Sequence, residues 1–327
     1  ENSSFIGGGI YNEGTLTTFT NSTIYENWAI NGGGGIYNSA TLTKIADSTF
    51  SGNVAGDLFG GGIYNYSKIG MITDSSFSSN SAGDSGGGIY TRGTLTTIEN
   101  STFSGNYAEF GGGINNSGIL NAITNTTFSG NSAFSGGGLT NRYGTLNTIS
   151  NSTFSANSAD TLGGGVYNFN ATLNTIINST FFGNSAGDTG GGIVTDESNI
   201  DSLKNSILAG STNGNCSVGQ SLVGSIGGIR NLTDDLSCPD DTLFDSTKFD
   251  TILKDNGCLA PEPDGCVKTH ALMVGSNAIN RAVKGTSNDQ RGFTAEGIRD
   301  IGAYEFISIS GSCFPYTPNG KMLMICW

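Results

Sequence analysis

Four columns of apolar residues recur along residues 1–210, in steps of 25 to 27 positions. The first follows a glycine run in every period: Ile10, Ile36, Ile63, Ile89, Ile114, Leu139, Val166 and Ile193. The second reads Leu16, Leu42, Ile69, Leu95, Leu120, Leu146, Leu173 and Ile200. The third follows three residues later: Phe19, Ile45, Ile72, Ile98, Ile123, Ile149, Ile176 and Leu203. The fourth is Ile24, Phe50, Phe77, Phe103, Phe128, Phe154, Phe181 and Ile207. Gly, Asn, Ser and Thr fill the gaps, so each period divides into three short β-branched or aromatic runs, the pattern of strands rather than helices. The step is too short for a tetratricopeptide or propeller unit, and the leucine-rich spacing is missing. A coil of about 26 residues cannot bury its own apolar face and must stack on its neighbours. The pattern predicts an all-β, single-stranded parallel β-helix with three strands per coil. Eight coils over 1–210 give a rod about 38 Å long at ~4.8 Å per coil.

Two small or polar columns complete the period. Asn27, Asn53, Asn80, Asn106, Asn131, Asn157 and Asn184 stand three residues after the fourth apolar column. Ala29, Ala55, Ala82, Ala108, Ala133, Ala159 and Ala186 follow two residues later. An Asn at a fixed corner can bond the Asn above and below it, and Ala is expected to let the chain turn inward tightly. The glycine triplets supply backbone conformations closed to residues with a Cβ.

The period ends near residue 210. Residues 211–306 carry Cys and Pro without repeating and are predicted to form an irregular, disulfide-bonded cap that continues the β-helix and covers its open end. All six cysteines lie beyond the repeats: Cys216, Cys238, Cys258, Cys266, Cys313 and Cys326. Their spacing does not match zinc pairs, and disulfides in an oxidising compartment are expected. Sequential pairing closes the shortest loops and is the default among fifteen connectivities. The tail 307–327 is apolar, with Met322, Leu323, Met324, Ile325 and Trp327. It is expected either to pack on the cap or to dock on a partner.

Composition moves the reading outside the cell. Gly is 52 of 327 residues and charged residues are only 13%, so neutral polar side chains form the surface. A net charge of -13 with 14 scattered Lys and Arg argues against nucleic acid as a partner. No apolar run approaches the ~18 residues of a membrane span. Residue 1 falls inside a repeat without a signal peptide before it, so a processed chain is expected.

Candidate chemistry is sparse. Eight glycine triplets without a following Lys do not read as phosphate loops. Acidic residues Asp57, Asp84, Glu109, Asp160 and Asp188 form a rough column in the loop before the glycines, read as solvated, with weak calcium binding or catalysis as alternatives. His270 reads as a hydrogen-bonded packing residue rather than a ligand. Asp289, Arg291, Arg299, Asp300 and Glu305 read as an ion-paired network holding the cap. Eleven Asn-x-Ser/Thr sequons occur, including Asn21, Asn65, Asn100, Asn151 and Asn178; most follow from turn chemistry alone. No metal or cofactor site is predicted.

The pairing of GGGI with FSGN resembles the GGA[ILV] and FxxN repeats of polymorphic outer-membrane proteins and related bacterial surface β-helix proteins. An ordered set beyond residue 210 is similar to the choice-of-anchor Q domain of secreted bacterial proteins. It comprises NCS at 215–217, NL at 231–232, SC at 237–238, HAL at 270–272, GSNAIN at 275–280, DQRG at 289–292 and DIGAYEF. These resemblances imply a right-handed, pectate-lyase-like β-helix displayed at or released from the cell surface, and they supply no catalytic residues. The chain departs from the pattern at the Cys258–Cys266 loop and in the apolar tail after DIGAYEF.

The expected function is that of a non-enzymatic extracellular structural or adhesive protein. End-to-end stacking of identical chains is a more specific form of it: the tail, from Met322 to Trp327, would cover the first coil of the next copy at Ile6 and Ile10. The rival is a carbohydrate-binding or carbohydrate-active protein resembling pectin lyases, because strand alternation points Tyr11, Tyr37, Tyr64, Tyr90 and Tyr167 outward, where they could stack on the sugars of surface glycans. The same tyrosines also fit a cross-strand aromatic ladder that only stabilises the sheet.

Overall fold

The computed structural model describes residues 2–218, 224–229, 231–235, 237–238, 241–243, 249–253, 268–273, 276–279, 282, 288–291, 300–303, 313–316 and 323–326. Over 2–218 the chain winds through about eight coils of parallel strands, and no helix occurs among the described residues. Like stacks on like throughout, as in Ile63 beside Ile89, Ile72 beside Ile98, and Phe77 beside Phe103.

Each coil contributes to four parallel sheets rather than three. The additional strand is the Ala corner, where Ala55 pairs in register with Ala82 and Ala108 with Ala133. The small side chain does not fold the backbone into a tight turn; it lets an extended strand approach the glycine run. A Cβ on Gly87 would lie 2.4 Å from the carbonyl oxygen of Tyr107 in the next coil's Ala strand. Only glycine permits that contact between backbones. Gly86 before it has φ +70°, so the triplet both turns the chain and admits the neighbouring strand.

Inside, the six phenylalanines from Phe50 to Phe181 are fully buried and stack with centroids 4.6–4.9 Å apart and planes within 8°. Each buried ring contributes roughly 1.5–3 kcal/mol by leaving water. A polar ladder stands beside this stack. Asn106 donates from Nδ2 to Asn131 Oδ1 (2.9 Å) and to the Phe77 carbonyl (3.0 Å). Its Oδ1 accepts from Asn80 Nδ2 and from the Asn80 N–H, both at 3.0 Å. All four hydrogen-bonding positions of the buried amide are therefore filled. A second buried ladder joins Asn12, Asn38 and Asn65, then Asn116, Asn141 and Asn168.

Beyond residue 215 the strands Cys216–Val218, Gly224–Ile229, Asn231–Thr233 and Asp241–Leu243 extend three of the sheets. The described segments between 249 and 303 then lie along the outer face of the Phe-bearing sheet. Thr127 donates to the Lys268 carbonyl, Thr153 to Gln290 Oε1, and Ala303 N–H to Thr180 Oγ1. These three threonines are buried, whereas their counterpart Thr23 in the first coil is exposed.

Replacing Asn106 by Ala leaves the Asn80 N–H and one Asn80 Nδ2 hydrogen without their acceptor, each costing roughly 1–3 kcal/mol. Urea unfolding should show N106A destabilised by about 2–6 kcal/mol. Asn147→Ala, in a half-buried ladder with Asn121 and Asn174, should cost less than about 1 kcal/mol.

Candidate functional site

The tyrosines that alternation points outward form a ladder. Tyr11, Tyr37, Tyr64 and Tyr90 stand with centroids 5.2, 4.9 and 5.1 Å apart. Only Tyr11, at 44% exposed, offers much ring to solvent; Tyr64, Tyr90 and Tyr167 are buried. Burial, then the neighbouring Tyr90 and Tyr37 hydroxyls, push the Tyr64 phenol up to about 12. Phe59 stacks on Tyr90 at 4.5 Å and meets Tyr64 edge-on at 5.5 Å. These inner tyrosines therefore present no face for a sugar to stack on.

The ladder is interrupted at the next two coils, where Asn115 and Thr140 occupy the tyrosine register before Tyr167 resumes it. A cleft of about 310 Å³ opens beside this break, between the Ala-bearing and Ile-bearing sheets. One wall comes from the Ala-bearing strands and the segments beside them, with Phe110, Phe134 and Leu162. The other comes from the last positions of the Ile-bearing strands, where Arg142, Phe169 and Asp196 pair in successive coils. Arg142 lies 4.6 Å from the Phe110 ring centre, 5.2 Å from that of Tyr143 and 5.9 Å from that of Phe169. Among the described residues its guanidinium has no hydrogen-bond or ion-pair partner. Burial first, then the charge of Asp196, raises the Tyr167 phenol pKa, so the hydroxyl stays protonated. Of the column of loop acids, Asp188 reaches this cleft.

The cleft residues Phe110, Phe134, Arg142, Phe169 and Asp196 are not legible as a site in the sequence. They break the columns instead of forming one, and their only signal is that Asn115 and Thr140 replace tyrosine where Arg142 and Phe169 appear nearby.

Other candidates resolve as structure. Cys216 and Cys238 form a disulfide with Cα atoms 4.9 Å apart. Ser237 secures the same turn: its hydroxyl accepts from the Asn215 and Cys216 N–H groups and donates to Asp235. Burial alone would raise the Asp235 carboxyl, but hydrogen bonds from Ser237 and Asn215 outweigh it and hold the pKa below its usual value. Cys258 and Cys266 lie outside the described residues. Strands Cys313–Tyr316 and Leu323–Cys326 pair antiparallel with Cys313 opposite Cys326; their side chains, with those of Met322 and Trp327, lie outside the described residues. Ile6 and Ile10 are partly buried.

Asp289 and Arg291 form a buried ion pair, and Asp300 is also buried; Arg299 and Glu305 fall outside the described residues. Sequon residues Asn65, Asn151 and Asn178 are buried, and their amides belong to interstrand ladders or to the Asn288 carbonyl. Asn21, in contrast, is exposed.

His270 is buried against Phe182 and Phe249. Its Nδ1 is 2.9 Å from the Asp250 carbonyl, which can only accept, so Nδ1 carries the proton and Nε2 accepts from the Ser155 hydroxyl at 2.9 Å. Burial lowers its pKa, outweighing the raising effects of Asp250.

Residues 47–66 and 74–92 match the model of the Chlamydia polymorphic membrane protein repeat. Both stretches run from the Phe strand through the Asn and Ala positions and the glycine triplet to the next Ile strand, which is the half of the coil where the Phe and Asn ladders meet the close backbone contact. No curated protein matches the chain.

A histidine with a lowered folded pKa stabilises fully above its unfolded value of about 6.5, and that contribution declines as pH falls through it. Stability from urea unfolding measured from pH 7.5 to 5.0 should fall in the wild type below about pH 6.5, by at most about 1.4 kcal/mol per pH unit. In His270→Gln that decline should be smaller.

Proposed function

We propose that the chain is a non-enzymatic structural or adhesive part of a bacterial surface protein. The match of two half-coils to the Chlamydia polymorphic membrane protein repeat carries this reading. Those repeats belong to membrane proteins, and the matched residues are the ones that build the rod. No helix among the described residues is long and apolar enough to cross a membrane. One further feature agrees with the reading. Outward positions change kind from coil to coil, as at Tyr66, Arg92, Ser117, Arg142 and Phe169, which suits a surface that contacts partners better than a repeated reaction centre. Such a rod holds its outward residues at a fixed spacing of ~4.8 Å per coil.

Display of the chain on a non-adherent bacterium tests the proposal. Retention on mucin-coated and polysaccharide-coated surfaces should rise severalfold over cells without it. Equal retention with display verified contradicts adhesion, and release of reducing or unsaturated ends from pectin or alginate contradicts the non-enzymatic reading.

A further inference from the structure

We infer that the cleft between Phe134 and Arg142 binds one ring of a neutral saccharide. The inference rests on the adhesive reading and names the contact through which adhesion would occur. Three observations carry it. First, the cleft is an interruption of an otherwise closed surface. In the earlier coils Phe59 covers Tyr64 and Tyr90 in the angle between the two sheets, whereas here Ser135 and Thr140 take the corresponding strand positions and the angle is open. Its volume, about 310 Å³, lies near the lower end of the roughly 300–1,000 Å³ of small-molecule sites.

Second, Phe134 is 46% exposed at the cleft, a flat apolar face of the kind that packs against the C–H face of a sugar. Third, the polar groups are of two opposite kinds. Arg142 can only donate, and its guanidinium is held between aromatic rings with no ion-pair partner among the described residues. Asp188 and Asp196 can only accept when ionised. A sugar hydroxyl both donates and accepts, so a neutral ring can satisfy both kinds at once. An acidic sugar could pair with Arg142 but would face two carboxylates, and an amino sugar could pair with a carboxylate but would face Arg142, so each meets a like charge in a partly enclosed space that a neutral ring does not. Arg142 is also presented by rings rather than by a carboxylate, so its donors keep their direction without being neutralised.

The test is titration of the purified full chain with neutral gluco-, manno- and galacto-oligosaccharides and with their uronate and 2-amino counterparts, read by calorimetry and by tyrosine fluorescence. At least one neutral series should bind, and its charged counterparts should bind at least about tenfold more weakly. Phe134→Ala and Arg142→Ala should each weaken the neutral ligand about tenfold. Arg142→Lys should recover only part of the loss, because the planar fork is gone. Unchanged thermal unfolding of F134A, whose ring is half exposed, separates binding from folding. Absence of binding to every neutral series, or equal binding by wild type and both alanine variants, overturns the site. If displayed cells still adhere while these variants adhere equally well, the adhesive reading survives and this cleft is not its contact. If the wild type does not adhere but neutral sugar binding depends on Phe134 and Arg142, the cleft stands and the adhesive reading falls.

Discussion

The structure depends on one constraint: each coil must present to the next the same side chain at the same place. The buried asparagine ladder enforces it. An amide that donates to the Asn of one neighbouring coil and accepts from the other is satisfied only when the coils are in register. A slip of one residue would leave buried donors and acceptors unpaired and turn the apolar set outward. The phenylalanine stack provides burial without direction, and the asparagines provide direction. Together they explain how a chain with so few charged residues and so much glycine reaches one fold.

That constraint also separates the positions that build from those free to vary. Ile, Leu, Phe, Asn, Ala and the middle glycine are fixed by what lies above and below them. The ends of the Ile-bearing strands and the segments before the glycines are not. The cleft at Phe134 and Arg142 arises there, where two residues of the tyrosine register become Asn115 and Thr140. A rod of this kind acquires a site by omission, because a missing ring in a regular surface leaves a space of defined shape.

Most of what repeats was legible in the sequence. The apolar columns, the asparagine ladder and the period followed from spacing, since stacking requires recurrence. The fourth strand did not, because Ala at a corner reads as a turn until the nearby glycine shows that two backbones meet there. The second asparagine ladder was also missed, hidden behind the tyrosine beside it. The path of residues 249–303 along the Phe-bearing sheet had no periodic signal: Thr127, Thr153 and Thr180, which meet it, stand in the same register as Thr23, Thr49 and Thr102, so the residue type does not mark the contact. His270 was legible as a packing residue, and its partners Ser155 and Asp250, 115 and 20 residues away in sequence, were not.

Native-state hydrogen exchange, resolved coil by coil, tests the central claim most directly. The N–H groups of Asn53, Asn80, Asn106 and Asn131, which donate to the Asn side chain of the next coil, should exchange only through global unfolding and with similar protection in successive coils. Exchange of these amides as fast as that of exposed turn amides, or protection that differs widely from one coil to the next, would contradict an account in which the asparagine ladder holds the register of the rod.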